Sequence, residues 1–298
     1  MFITEYIGLP MGHAGIDFVD ITTEHDTQLF LDPCLIEKCR DPLSQNAADL
    51  FSDFADQMYR DMRTGRWHTT HVFDEAHEIH ETKLGYGNGR NGKGKTSHGM
   101  RESLNGLCQL ANQILTISRI QDISVLVEDF AEDCMSDLLT NILRLQLSQF
   151  TSDQMQQYGI EPAGFHEIKS WDRDTHGWAS SIEPYWRVDG HKILLVPKNW
   201  VRDHHLFKAH QYLYGVIIER MQAEYGYDNL TKRDIWRNIE RDSEHWEYDE
   251  VIDYTLEHPD ALGEYHYRMH RYYDRANGCM SDDDLDEAVY GQYMSETA

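Results

Sequence analysis

The stretch Tyr185-Trp186-Arg187-Val188-Asp189-Gly190-His191-Lys192-Ile193-Leu194-Leu195-Val196-Pro197 is the clearest local signal in the chain. Two apolar runs flank Asp189-Gly190, a pair that enters a left-handed turn at little cost, so a hairpin is expected here. His191 and Lys192 make the connection longer than a minimal hairpin. Upstream, Gly15 to Ile21 and Thr27 to Pro33 read as two more strands joined by polar Thr22 to Asp26, the second stopped by Pro33. Residues 46–63 form an amphipathic helix with Leu50, Phe51, Phe54, Ala55 and Met58 on one face. Another helical pattern covers most of Val125 to Phe150, with a start near Glu132 to Ser136, and residues 159–181 carry no period and read as a long loop. Beyond Asp203 helices are expected near 203–225, 231–241, 247–257 and 259–275, followed by an acidic, frayed tail from Ser281. Strands early and helices late predict an α+β chain, with a mixed core over 1–200, a helical region over 201–280 and an acidic tail over 281–298.

With 298 residues, 40% hydrophobic and 11% aromatic, the chain can bury an ample core. It has no apolar run long enough to span a bilayer, and Met1-Phe2-Ile3-Thr4-Glu5-Tyr6 lacks the basic start of a signal peptide. No membrane association and a cytoplasmic location are therefore expected. Cys34, Cys39, Cys108, Cys134 and Cys279 are scattered and odd in number, which argues against a disulfide framework and a thiolate zinc site. A net charge of -25 confines any polyanion contact to a local basic patch.

Such a patch exists. Gly85 to Gly99 holds six glycines together with Arg90, Lys93 and Lys95, the composition of a loop that turns backbone N–H groups and cations toward a phosphate. Gly89, Gly92, Arg90, Lys93 and Lys95 are the candidate phosphate-binding residues. Gly89-x-x-x-x-Gly94-Lys95-Thr96 also matches a Walker A motif, with a helix over residues 100–118 behind it and a Walker B candidate strand at Ile123 to Asp129. The segment ahead of the loop, His77 to Leu84, is too polar for the central strand of a P-loop fold.

Carboxylates supply the second candidate chemistry. Asp32 at a strand end, Glu78, and Glu81-Thr82-Lys83 reproduce in residue type the acidic pair and lysine of restriction-type nucleases, in which carboxylates hold a hard divalent cation and the lysine positions the attacking water. Asp129, Asp133 and Asp137 recur every four residues, on one face of a helix. For Glu132 and Asp133 the first turn of a helix is explanation enough. Asp137 lies deeper in the apolar helix, with Asn141 a turn later, and is a candidate for function. Asp32, Glu78, Glu81, Lys83 and Asp137 are thus the candidate catalytic residues, and Asp32, Glu81 and Asp137 the candidate ligands for Mg2+ or Mn2+. His77-Glu78-Ile79-His80-Glu81 is one residue short of a zincin motif.

Asp26 to Glu37, the Leu84 to Gly94 loop, Ser136 to Ile142, Ile193 to Lys198 and His258 to Tyr265 together resemble a family of uncharacterised bacterial proteins. The likeness spans most of the chain and carries no established activity; it suggests a part in conflict with mobile elements, such as phage defence. Three functions are compatible with these residues. The leading one is a metal-dependent nuclease or related phosphate hydrolase that meets nucleic acid or a nucleotide through the basic loop. The second is an ATPase or GTPase using Lys95, Thr96 and Asp129. The third is a non-catalytic acidic adaptor or sensor whose helical C-terminal half binds a protein partner or a second copy of the chain.

Overall fold

A computed structural model describes residues 1–86, 97–128, 130–224, 230–239, 241–275 and 278–291. The first half holds α1 (Ile3–Ile7), β1 (Phe30–Leu31), α2 (Pro33–Lys38), α3 (Pro42–Arg63), α4 (Ser97–Ser103), α5 (Asn105–Gln113), α6 (Asp122–Leu126), α7 (Glu132–Ile142) and α8 (Arg144–Gln157). Strands β2 (Gly164–Asp172), β3 (Gly177–Val188), β4 (His191–Ile193) and β5 (Val201–Arg202) follow. The rest is helical: α9 (Ala209–Tyr212), running through a wider turn into α10 (Ile218–Glu224), then α11 (Lys232–Asn238), α12 (Trp246–Glu257), α13 (Asp260–Arg275) and α14 (Asp282–Asp286). The chain is α+β, with helices through its first half and a C-terminal region that is helical.

Strands β2, β3 and β4 form an antiparallel meander in that order. Asp189 at φ 50° and Gly190 at φ 80° close a minimal two-residue turn of the kind that matches strand twist. His191 and Lys192 therefore belong to β4, and the longer connection expected from the sequence is not formed. The expected loop over 159–181 is likewise replaced by paired strands, with Gly164 opposite Tyr185 and Asp172 opposite Gly177. Its alternation is hidden because buried or half-buried positions include polar His166 and Ser170, while Phe165 and Ile182 are 69% and 74% exposed. Hydrophobic period two fails as a signal when both faces mix polarity.

Trp171 ties this meander to α3. Its ring packs edge-on against Phe54 at 4.9 Å and Trp178 at 5.6 Å, and its Nε1 donates to Asp53 at 2.9 Å. Helix α3 starts four residues before the expected 46 because Asp41 accepts the Ser44 N–H at 2.9 Å and Pro42 takes the first helical position, where its missing donor costs nothing. Its buried face, from Leu50 to Met62, is the expected one.

Elsewhere the strand expectations shrink. Phe30 and Leu31 pair with Arg202 and Val201 as a two-residue ribbon, and Gly15 to Ile21 is irregular apart from a bridge between Phe18 and Pro197. The run Leu194 to Pro197 leaves the hairpin and covers that segment, with Val196 O accepting the Val19 N–H at 3.0 Å. Of Ile123 to Asp129, expected as a strand, Ile123 to Leu126 lie in helix α6, and Asp129 lies outside the described residues. Asp122 folds back to accept the N–H groups of Ser118 and Arg119, and this turn starts a helix in an apolar run too short for periodicity to classify.

Residues 281–291 are not frayed. Ser281 and Asp284 cap α14 reciprocally, Leu285 and Val289 are buried, Asp286 pairs with His13, and the Tyr290 hydroxyl donates to Asp20 at 2.6 Å. Buried side chains from both halves join one hydrophobic core. No helix among the described residues is long and apolar enough to cross a membrane.

Trp171 is 2% exposed. Trp171→Ala should lower unfolding stability in urea by about 3–5 kcal/mol, because it removes a buried aromatic and leaves a void between α3 and the meander. A loss near zero would mean that the meander is not anchored through this ring.

Candidate functional site

Two short segments run side by side ahead of the glycine-rich loop. Thr27 N–H donates to Lys83 O at 2.8 Å and Gly85 N–H to Thr27 O at 2.9 Å, around a parallel bridge between Thr27 and Leu84. This pairing sets Asp26 beside Lys83, with 3.7 Å between carboxylate and ammonium. Gly85 then lies against α7. At its φ of +132° a Cβ would stand 2.6 Å from the Asp133 carboxylate oxygen, so glycine is required on both backbone and steric grounds. Tyr86 continues the clamp: its ring meets Phe30 at 4.8 Å, and its hydroxyl donates to Glu132 at 3.2 Å. Lys208 also pairs with Glu132, at 2.5 Å. The root of the loop is thereby fixed on the first turn of α7.

One turn along α7 lies Asp137, and Asn141 donates its side-chain amide to the carbonyls of His77 and Asp137. These contacts hold Glu78 over the same helix face. Asp26, Glu78, Asp133 and Asp137 consequently share one environment. Burial, then the charges of Asp133 and Glu78, push the Asp137 carboxyl up to about 8. Burial and then Glu78 also raise Asp133, against the pull of the Tyr86 N–H.

Of the residues singled out by the sequence, Glu78, Lys83 and Asp137 come to this place; Asp32 and Glu81 have other tasks. Asp32 is fully buried and caps α2 through the N–H groups of Cys34 and Leu35, while Tyr273 donates its hydroxyl to the other oxygen at 2.5 Å. Burial pushes its carboxyl up to about 7, opposed by those hydrogen bonds and by Arg202. Glu81 pairs with Arg144 at 2.6 Å, and its carbonyl accepts the Leu194 N–H at 2.8 Å. Asp32, Glu81 and Asp137 share no hydrogen-bond or ion-pair partner, and among the described residues no group of three or more His, Cys, Asp or Glu side chains is placed to hold a metal ion. Gly89, Arg90, Gly92, Lys93, Lys95, Thr96 and Asp129 lie outside the described residues. Asp26 and Asp133 were not among the sequence candidates. The four-residue spacing of Asp133 and Asp137 was a usable signal, whereas nothing local marks Asp26.

The raised Asp137 carboxyl makes a pH prediction. Unfolded, the group loses its proton near 3.8; folded, it keeps it to about 8, so its contribution to stability is complete below the lower value and is lost as pH rises through the higher one. Asp137→Asn mimics the protonated form. In the presence of a chelator its thermal stability should match the wild type near pH 4 and exceed it increasingly toward pH 8. A gap that does not change with pH would contradict this assignment.

Comparison with known proteins adds a family and no activity. Searches of curated proteins and of solved structures found no match to the chain. A family model for a domain of unknown function, DUF8370, matches residues 8–208 and so includes Asp26, Glu78, Lys83, Asp133 and Asp137. The chain belongs to the DUF8370 family.

Proposed function

We propose that the protein is a metal-dependent phosphodiester hydrolase, with nucleic acid as its substrate class. The observation that carries this reading is the gathering of Asp26, Glu78, Asp133 and Asp137 at the root of a loop whose sequence supplies Arg90, Lys93 and Lys95. Carboxylates crowded in a half-buried site repel one another, and a hard divalent cation relieves that repulsion. Mg2+ commonly takes one or two carboxylates and completes its shell with water and substrate phosphate, so a preformed cage of three protein ligands is not required. Asp133 and Asp137, one helical turn apart, are the first pair for this task. When bound, Mg2+ or Mn2+ would polarise a phosphoryl oxygen. Lys83 brings a cation to the edge of the cluster, where it can orient water, and the cationic loop would meet the substrate's phosphates.

The ATPase or GTPase alternative has less support. A P-loop needs a strand feeding the loop and a second strand carrying the Walker B acid. Ahead of the loop stands a single turn at His80–Thr82, and α6 occupies most of the expected second strand. A setting in anti-phage defence rests on the sequence resemblance alone.

The test is hydrolysis of single- and double-stranded DNA and RNA with Mg2+ or Mn2+. The double variant Asp133→Asn, Asp137→Asn should lose more than about 100-fold of the rate. Lys95→Ala, which removes one of three loop cations, should lower the rate far less than the double carboxylate variant. ATP hydrolysis abolished by Lys95→Ala, without metal-dependent cleavage of nucleic acid, would replace this proposal with the nucleotide hydrolase.

A further inference from the structure

Two of the five cysteines meet at a place that uses none of the residues of the acidic cluster. Cys39 ends α2, its N–H bonded to the carbonyls of Leu35 and Ile36. Cys279 follows α13 and precedes the cap of α14. Asn199 touches both: its side-chain amide donates to Cys39 Sγ at 3.2 Å, and its carbonyl accepts from Cys279 Sγ at 3.5 Å. Asn199 thus gathers the two thiols at one place, and each acts on the titration of the other. Cys279 is exposed and borders an open cavity of about 890 Å3 that also meets Arg202, His204 and Ser281. Arg202 donates to the Gly278 carbonyl at 2.6 Å, which sets a cation one residue from the thiol. Cys34 differs in kind, being buried against Met269 and Gln121.

We propose that Cys39 and Cys279 form a reversible dithiol–disulfide pair, oxidised by low-molecular-weight disulfides such as glutathione disulfide, that locks the segment carrying α14 to the end of α2. The roles of the two sulfurs follow from their surroundings. The neighbouring Cys39 thiol, with Lys38 and Arg202 adding positive charge against the effect of burial, brings the Cys279 thiol down to about 6. Cys279 is therefore the attacking thiolate, being exposed and beside cations. Its sulfur bonds to one sulfur of glutathione disulfide, and the other leaves as glutathione thiolate. Cys39 then gives up its proton and attacks the Cys279 sulfur of the mixed disulfide, expelling the second glutathione. Protein dithiol and glutathione disulfide become protein disulfide and two glutathione thiols, so electrons and protons balance.

The bond would act on structure through α14. That helix and the turn after it hold His13, Lys198 and Asp20 through Asp286, Asp282 and Tyr290, so fixing Cys279 keeps this clasp over the N-terminal segment.

Peptide mapping of the intact chain under non-reducing conditions, after equilibration in glutathione buffers of increasing oxidation, tests the pair. The expected product is one linked peptide joining Cys39 to Cys279, lighter by two hydrogens and reversed by dithiothreitol. Cys39→Ser, unable to complete the second exchange, should accumulate a glutathione adduct on Cys279, whereas Cys279→Ser should leave Cys39 as a free thiol. No linked peptide in the wild type, or an adduct that prefers Cys39, would overturn the proposal. Because the wild-type map needs no substitution, the result stands even if a variant folds poorly.

Discussion

Negative charge at the start of α7 has to be held in place against its own repulsion, and the surrounding structure is built to hold it. Asp133 and Asp137 share one helix face, while Asp26 and Glu78 arrive from two separate segments. What offsets the repulsion is the pull of the Tyr86 N–H on Asp133 and of the Ile79 N–H on Asp137, with ion pairs from Lys83 to Asp26 and from Lys208 to neighbouring Glu132. The positive end of the α7 dipole adds to these, since Glu132 and Asp133 occupy its first turn. Burial first, and then the incompletely compensated charges of Asp133 and Glu78, raise the Asp137 carboxyl well above the ordinary carboxylate range. An incompletely neutralised carboxylate cluster has a stabilising partner to gain in a cation.

The same contacts explain why the glycine-rich loop begins where it does. Gly85 can approach Asp133 only because it lacks a Cβ, and Tyr86 closes over the contact by reaching Phe30 and Glu132. A loop carrying three cations thus departs from a point already crowded with carboxylates. Under the proposed hydrolase reading, the loop would address the phosphate of an anionic substrate and the cluster its metal ion.

Much of the fold was legible in the sequence, and the limits have physical causes. The amphipathic face of α3 and the Asp189-Gly190 turn were readable because periodicity and left-handed backbone preference are local properties. Strand β2 and the part of β3 before Tyr185 were not, because His166 is half-buried and Ser170 buried while Phe165 and Ile182 lie outside. Helix α6 was hidden by shortness, its apolar run fitting a strand equally well. At the site, Asp137 stood out as a charge inside an apolar helix, and Glu78 and Lys83 as polar neighbours of the loop. Asp26 could not, since its place depends on the pairing of Thr27 with Leu84, a contact between segments far apart in the chain. Asp32 drew attention as a strand-end acid, but its surroundings use it to cap α2 and to hold Tyr273.

The central claim is that the carboxylates on α7 and the glycine-rich loop form one site for a metal and a phosphate. Anomalous diffraction from crystals of the full chain soaked in Mn2+ and inorganic phosphate tests it most directly. The account predicts a manganese peak within bonding distance of Asp133 or Asp137, with Asp26 or Glu78 beside it and phosphate on the side of the loop. A saturating soak that leaves this cluster empty, or places manganese elsewhere, would contradict it.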